Sequence, residues 1–260
     1  MIIDSHCHLT HKRLIDEVDA VVQRAAEVDV RAMVTIGTGV EDGRATRDLA
    51  HRFPGVVFAT VGIDPFTAHA AGEAFDDRLD ELDGLLTEGG YCALGEIGLD
   101  YHYDLDSRAV QAQRFEAQLE MARRHGLPVV IHVREAHEDM AAILRNHPQV
   151  CGVIHSFTAG PLEAETYLGL GWYLAFNGVV TFKNADDVRE AALQAPSDRL
   201  IVETDSPYLA PMPRRGKRCE PGWVRDTLAF VATLRGSSVD ELARSTSVAT
   251  NRLFQLGLSA

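Results

Sequence analysis

A chain of 260 residues that is 46% hydrophobic has ample material for one large core and is no disordered tail. Its formal net charge of −13 argues against a broad nucleic-acid-binding face, which is normally basic. The four cysteines (Cys7, Cys92, Cys151 and Cys219) lie far apart without a C-x-x-C pair, as expected of reduced thiols and not of a disulfide framework. No apolar run approaches the roughly 18 residues of a membrane helix. The polar turn at Asp4, with no basic leader before it, predicts no secretion signal and hence a cytoplasmic protein.

Along the chain, Val- and Ile-rich runs alternate with amphipathic stretches. Strands are expected near Ile2–Ser5, Ala32–Gly37, Val56–Ile63, Cys92–Ile97, Pro128–Val133, Cys151–His155, Trp172–Gly178 and Leu200–Thr204. Helices are expected over Asp16–Val28, Glu41–His51, Asp77–Leu86, Ser107–His125, His137–Asn146, Pro161–Leu170, Ala185–Gln194 and Pro221–Leu234, with Val239–Leu256 closing the chain. The clearest is Ser107–His125, with Val110, Phe115, Leu119 and Ala122 on one face, Ser107 as its cap and Gly126 as its stop. Strand runs this continuously apolar belong in a parallel sheet covered on both faces. Eight strand-then-helix units, with no polar linker between them, predict an α/β fold: a single (β/α)8 TIM-type barrel domain over residues 1–260.

In such barrels the reacting groups sit at the C-terminal ends of the strands. The first predicted strand runs into His6 and His8, the fourth into Glu96, the fifth into His132, the sixth into His155, and the eighth into Glu203 and Asp205. Strict alternation would put Asp4, His6 and His8 on one face. Taken singly, each imidazole reads equally well as a buried core histidine and Glu96 as half of a structural ion pair. Together, His6, His8, Glu96, His132, His155 and Asp205 would crowd lone pairs and buried charge onto one rim, an arrangement that cations relieve.

Five ordered segments carry a specific resemblance: DSHCHL at 4–9, GEIGLDY at 95–101, IHVRE at 131–135, IHSFT at 154–158 and ETDSPYLAP at 203–211. They resemble the signature segments of TatD-type metal-dependent deoxyribonucleases, within the amidohydrolase-like superfamily, from about residue 2 to beyond residue 250. The resemblance implies a barrel holding two divalent ions (Zn, Mn or Mg). His6 and His8 with Asp205 would hold one, His132 and His155 the other, and Glu96 would bridge them. It further implies a bridging hydroxide that attacks phosphorus, with Asp205 orienting the water and taking its proton. Glu203 would protonate the leaving group or orient a ligand, the second role being preferred, and Asp4 would brace His6 or His8.

The expected activity is an exonuclease-type phosphodiesterase acting on single-stranded DNA ends or another phosphate-containing substrate, with no membrane and no obligate protein partner. Arg134, Lys183, Arg215 and Arg218 are the expected phosphate contacts, the last two from the one dense basic run, Arg214 to Arg218. Tyr101, His102 and Tyr103 are candidates for stacking on bases. The chain departs from the pattern in the GIDP segment: Asp64 stands where relatives commonly carry histidine, and Phe66 where a polar residue is common. Two alternatives stay open. One is a same-fold metallohydrolase of carboxylic esters, amides or aminoacyl-tRNA links. The other, less favoured, is a non-catalytic binding protein.

Overall fold

The computed structural model describes residues 1–103 and 105–258. Eight strands run parallel in chain order: β1 (Ile2–Cys7), β2 (Val30–Thr35), β3 (Val57–Val61), β4 (Tyr91–Asp100), β5 (Val129–Arg134), β6 (Gly152–Ile154), β7 (Tyr173–Phe176) and β8 (Leu200–Val202). Around them lie α1 (Val18–Glu27), α2 (Val40–Arg52), α3 (Pro65–Ala71), α4 (Phe75–Glu88), α5 (Arg108–His125), α6 (His137–Asn146), α7 (Pro161–Gly169), α8 (Asp186–Gln194), α9 (Val224–Arg235) and α10 (Val239–Phe254). This is the expected (β/α)8 barrel. No helix among the described residues is long and apolar enough to cross a membrane.

Its core has two parts. One cluster joins Ile3, Ala32, Val34, Ala93, Val130 and Ile201 of the strands to Leu253 and Phe254 of α10. The other, larger cluster packs the helices onto the strands. The ring closes through the segment that follows β8. Cys7 bridges Ser206, the Asp205 N–H donates to the His6 carbonyl at 2.9 Å, and the His8 N–H donates to the Ser206 carbonyl at 2.8 Å. Asp4 belongs to this closure. Its carboxylate accepts from the Thr204 N–H at 2.8 Å and the Thr204 hydroxyl at 2.6 Å. Asp4 therefore does not brace the imidazole of His6 or His8, as the alternation argument expects. From Asp4 to Cys7 the first strand advances three residues while β2 advances two, Met33 to Thr35, so alternation is broken there.

Two elements depart from expectation in ways that bear on the site. β4 continues past Ile97 to Asp100 because β5 accompanies it as far as Arg134. Helix α3 has too few residues for an apolar period to be legible. Its start is nevertheless well specified, since Asp64 caps it by accepting from the Thr67 N–H at 3.0 Å and Pro65 follows in the first turn.

Helix α5 does more than cover the sheet. Ser107 and Gly126 cap it as expected, and Phe115, Leu119 and Ala122 are buried, but so are Gln111 and Gln118. Gln118 accepts from the Ile63 N–H at 2.8 Å and donates to the Ile63 carbonyl at 2.9 Å, where the chain leaves β3. Gln111 does the same for Asp100 at the end of β4, with both contacts at 2.9 Å. These amides complete the hydrogen bonding of strand ends that have lost their ladder partners. Gln111→Leu strands a buried N–H and C=O, so it should cost about 2 kcal/mol. That corresponds to a melting midpoint lower by about 4–8 °C for a domain of this size, and a midpoint within a degree of wild type would show that the clamp contributes nothing.

Candidate metal centre

The strands that carry the expected site residues are deformed where those residues sit. The extra residue of β1 lies between Asp4 and Cys7, around His6. β4 likewise advances three residues from Leu94 to Ile97 against two in β5, around Glu96. Such bulges re-aim a side chain that the pleat would send elsewhere. The glycines of the GEIG segment then let β4 lie hard against β5. A Cβ on Gly95 would come within 2.6 Å of the Val130 Cβ, and one on Gly98 within 1.9 Å of the His132 carbonyl oxygen. No side chain fits in either place.

The result is a tight cluster centred on Glu96. Its Oε1 lies 2.9 Å from His132 Nδ1 and 3.1 Å from His155 Nε2, and its Oε2 lies 3.6 Å from His6 Nε2. His6 Nε2 is 3.2 Å from His8 Nε2, and Asp205 Oδ1 is 3.2 Å from His8 Nε2 and 3.7 Å from His6 Nε2. Asp205 reaches this position from a left-handed backbone (φ 58°), which aspartate tolerates better than most residues. The six expected residues are thus brought together, with one carboxylate facing two sets of imidazoles. Ligand atoms of His6, His8 and Glu96 lie within 4.8 Å of one another, as do those of Glu96, His132 and His155.

The donor set fits divalent cations. Imidazole nitrogens and carboxylate oxygens turn their lone pairs towards common points, with no lysine or arginine in hydrogen-bond or ion-pair contact with Glu96 or Asp205 among the described residues. Buried His6 Nδ1, His155 Nδ1 and Glu203 Oε2 have no hydrogen-bond partner. Without a cation, protons carry the compensation. Burial works against the charged form of Glu96, but His155 and His132 hold its carboxyl well below the usual range. Burial likewise opposes a charge on His132, yet Asp100 and Glu96 push it up to about 9. His155 is also raised despite burial, by Glu96 and Glu203, whereas burial and the neighbouring His155 drive His6 well down.

A second layer orients the first. Asp100 Oδ2 lies 2.9 Å from His132 Nε2, while Asp100 Oδ1 accepts from the N–H groups of His102 and Tyr103. Sequence reasoning passed over Asp100 because it ended the fourth strand at Ile97. The same rule that picked out Glu96, an acid at the end of an apolar run, would have found it. Glu203 is fully buried, accepts from the Ser156 N–H at 2.6 Å and stands 3.5 Å from His155 Nδ1. It stands behind His155 and is not among the residues lining the cavity, a placement that suits the orienting role. Asn177, also unforeseen, donates to the Ser156 hydroxyl at 2.8 Å and to Glu203 Oε1 at 3.4 Å.

A cavity of about 850 Å³ opens over His8, Glu96, His132, His155 and Asp205. Arg134 is the one lysine or arginine among its lining residues, and Asp42, Asp64 and Asp100 line it too. The other expected phosphate contacts lie outside this lining. Lys183 and Arg215 are exposed, the latter with its guanidinium 4.3 Å above the Phe182 ring. Arg218 pairs with Glu17 at 2.8 Å and Glu220 at 3.2 Å, and Arg214 pairs with Asp226 at 2.7 Å. A guanidinium already held by carboxylates projects little positive field, so Arg214 and Arg218 are less available to a phosphate than the bare run suggests. Tyr101 is packing, its hydroxyl on Asp139 and its ring under Arg108, and His102 pairs with Glu135. Tyr103 does line the cavity, as does Phe66. Asp64 is explained by its helix cap, and burial with Glu96 nearby pushes its carboxyl up to about 6.

Known proteins resemble this chain in sequence and fold. The family model described as TatD related DNase matches residues 3–255. The chain is 40% identical to the uncharacterized metal-dependent hydrolase YcfH of Escherichia coli, over 99% of this chain and 97% of that protein. It is 33% identical to the 3'-5' ssDNA/RNA exonuclease TatD of Erwinia tasmaniensis, over 97% of this chain and 99% of that one. The crystal structure of YjjV, a TatD homologue from Escherichia coli, superposes with a TM-score of 0.92 at 28% identity, covering 98% of each chain. With a family model spanning nearly the whole length and a relative at 40% identity, the chain belongs to the TatD-related DNase family.

Proposed function

We propose that this protein is a divalent-metal-dependent phosphodiesterase that works from the ends of single-stranded DNA, an exonuclease-type deoxyribonuclease. The observation that carries the reading is Glu96, whose two oxygens face different imidazole sets beneath one open cavity. The relative named as a single-strand exonuclease supports the choice of substrate. His6, His8 and Asp205 would hold one ion, His132 and His155 a second, with Glu96 shared. Such a pair (Zn, Mn or Mg) supplies an activated water at neutral pH and offsets the charge that gathers on a phosphate.

The chain's own groups do the rest. Asp205 is positioned to orient the attacking water and accept its proton. Glu203 and Asp100 hold His155 and His132 in the orientation that points their free nitrogens at Glu96. Arg134 supplies the cavity's fixed positive charge for a phosphate oxygen. A second reading, a metallohydrolase of small carboxylic esters or related acyl substrates, is favoured by one observation: Asp42 and Asp64 on the cavity wall repel a polyanion. End-labelled oligonucleotides and acyl esters, offered in parallel to protein loaded with each metal, separate the two.

Three outcomes are expected. Purified protein should bind two divalent ions, and chelation should abolish turnover. Because Asp100 and Glu96 push His132 up to about 9, an ion that binds it at neutral pH must displace its proton. Metal affinity should therefore rise from pH 7 towards pH 9. Calorimetry in buffers of different ionisation enthalpy reads the released protons, and affinity independent of pH would contradict the assignment.

Asp205→Asn should lower kcat by at least about 10²-fold, whereas Glu203→Gln should keep both ions and act through His155. Loss of an ion from Glu203→Gln, with both retained in Asp205→Asn, would reverse the two roles. Arg134→Ala should flatten the salt dependence of single-strand binding by about 0.7 in log–log slope, the share of one phosphate contact. Arg218→Ala should leave that slope unchanged, and the opposite result would return the contact to the basic loop.

A further inference from the structure

The cavity wall beside His132 carries aromatic surface that the metal cluster does not use. Phe66 sits in the first turn of α3, Tyr103 follows β4, and Arg134 ends β5. Phe66 is 41% exposed and Tyr103 48%, although both are large rings in a chain that buries most of its others. Their centroids lie 5.3 Å apart at 62°. The Arg134 guanidinium lies 5.1 Å above the Tyr103 ring, and its Nη1 is 3.3 Å from the Tyr103 hydroxyl. The Phe66 ring stands 6.4 Å from the His132 ring. We infer that Phe66, Tyr103 and Arg134 form a stacking shelf for the nucleobase on the His132 side of the scissile phosphate.

Plain packing does not account for these rings, since packing residues are covered and these two are not. Their backbone is held firmly. Asp64 and Pro65 set the turn that presents Phe66. The Asp100 carboxylate that orients His132 also binds the Tyr103 N–H, and Gln111 clamps Asp100 in turn. The shelf is thereby built in register with the cluster before any substrate arrives, which reduces the ordering cost of binding. It also answers the charge problem. A wall with Asp42 and Asp64 and one arginine attracts a polyanion poorly, whereas stacking on a π-face gains affinity without net charge. Asp64 in the GIDP segment and Phe66 just after it, the two departures there, then have one explanation: the aspartate caps the helix and the ring offers the platform.

The inference rests on the phosphodiesterase reading for the identity of the ring, and its test keeps the two apart. Phe66→Trp places a fluorophore on the shelf. Metal-loaded Phe66→Trp protein is titrated with a phosphorothioate-linked deoxyadenosine dinucleotide, which resists hydrolysis, and with analogues lacking either base or both. Emission should change saturably with the dinucleotide and with only one of the two single-base analogues, and not with the doubly abasic one. In kinetics on ordinary dinucleotides, Phe66→Ala should lower kcat/KM for the base-bearing substrate about tenfold relative to its abasic counterpart, mainly through KM. That is about 1.4 kcal/mol, and Phe66→Tyr should restore most of it. Emission that follows the doubly abasic compound equally, or an unchanged ratio in Phe66→Ala, overturns the shelf while leaving phosphodiester cleavage standing. If no phosphodiester is hydrolysed with any metal and emission still follows the base, the shelf stands and the phosphodiesterase reading fails.

Discussion

Everything at the mouth of this barrel depends on one buried carboxylate shared among imidazoles. Glu96 has almost no contact with solvent, and its two oxygens are divided between His132 and His155 on one side and His6 on the other. A carboxylate in such surroundings is costly unless positive charge meets it from close range. Three strand ends, those of β1, β5 and β6, contribute to that compensation, and the backbone is shaped to permit it: extra residues in β1 and β4, and glycines where β4 presses on β5. The fold gathers these imidazoles and carboxylates on one rim, and their converging lone pairs make the cluster receptive to cations.

The support is layered. Asp100 and Glu203 face the histidines from behind, Asp100 hydrogen-bonded to His132 and Glu203 3.5 Å from His155, and each carboxylate is itself fixed by backbone N–H donation. Gln111 reaches from α5 to hold Asp100, and Asp4 ties β1 to Thr204 just before Asp205. The ligand-bearing strand ends thus belong to a hydrogen-bonded frame that extends into the helical layer. Precision at such a centre comes from these outer contacts as much as from the ligand atoms themselves.

The charge distribution follows a related logic. Most arginines are committed to local ion pairs, including Arg214 and Arg218 of the densest basic run. The cavity keeps Arg134 and an aromatic corner, on a wall that also carries Asp42 and Asp64 beside the histidines of the cluster. A site of this kind selects for a ligand that brings an anionic group to the cluster and a flat group beside it.

Much of this was legible in the chain itself. Eight apolar runs alternating with amphipathic ones mark a parallel sheet covered on both faces, and eight such units in about 250 residues fit its closure into a barrel. Strand ends rich in histidine and acid then mark the six converging residues, since the position of a strand in a barrel fixes where its end points. What the tertiary structure alone decided is where periodicity failed or partners were remote. Asp4 broke from His6 because a bulge interrupts alternation, and Asp100 emerged only once β5 carried β4 beyond Ile97. Arg218 looked free until Glu17, 201 residues away in sequence, was seen to hold it. Tyr103 and Phe66 stand out in the sequence for separate reasons, and only the structure makes them neighbours. Local pattern reports which face a side chain occupies, and the contacts that neutralise or expose it depend on segments the pattern cannot see.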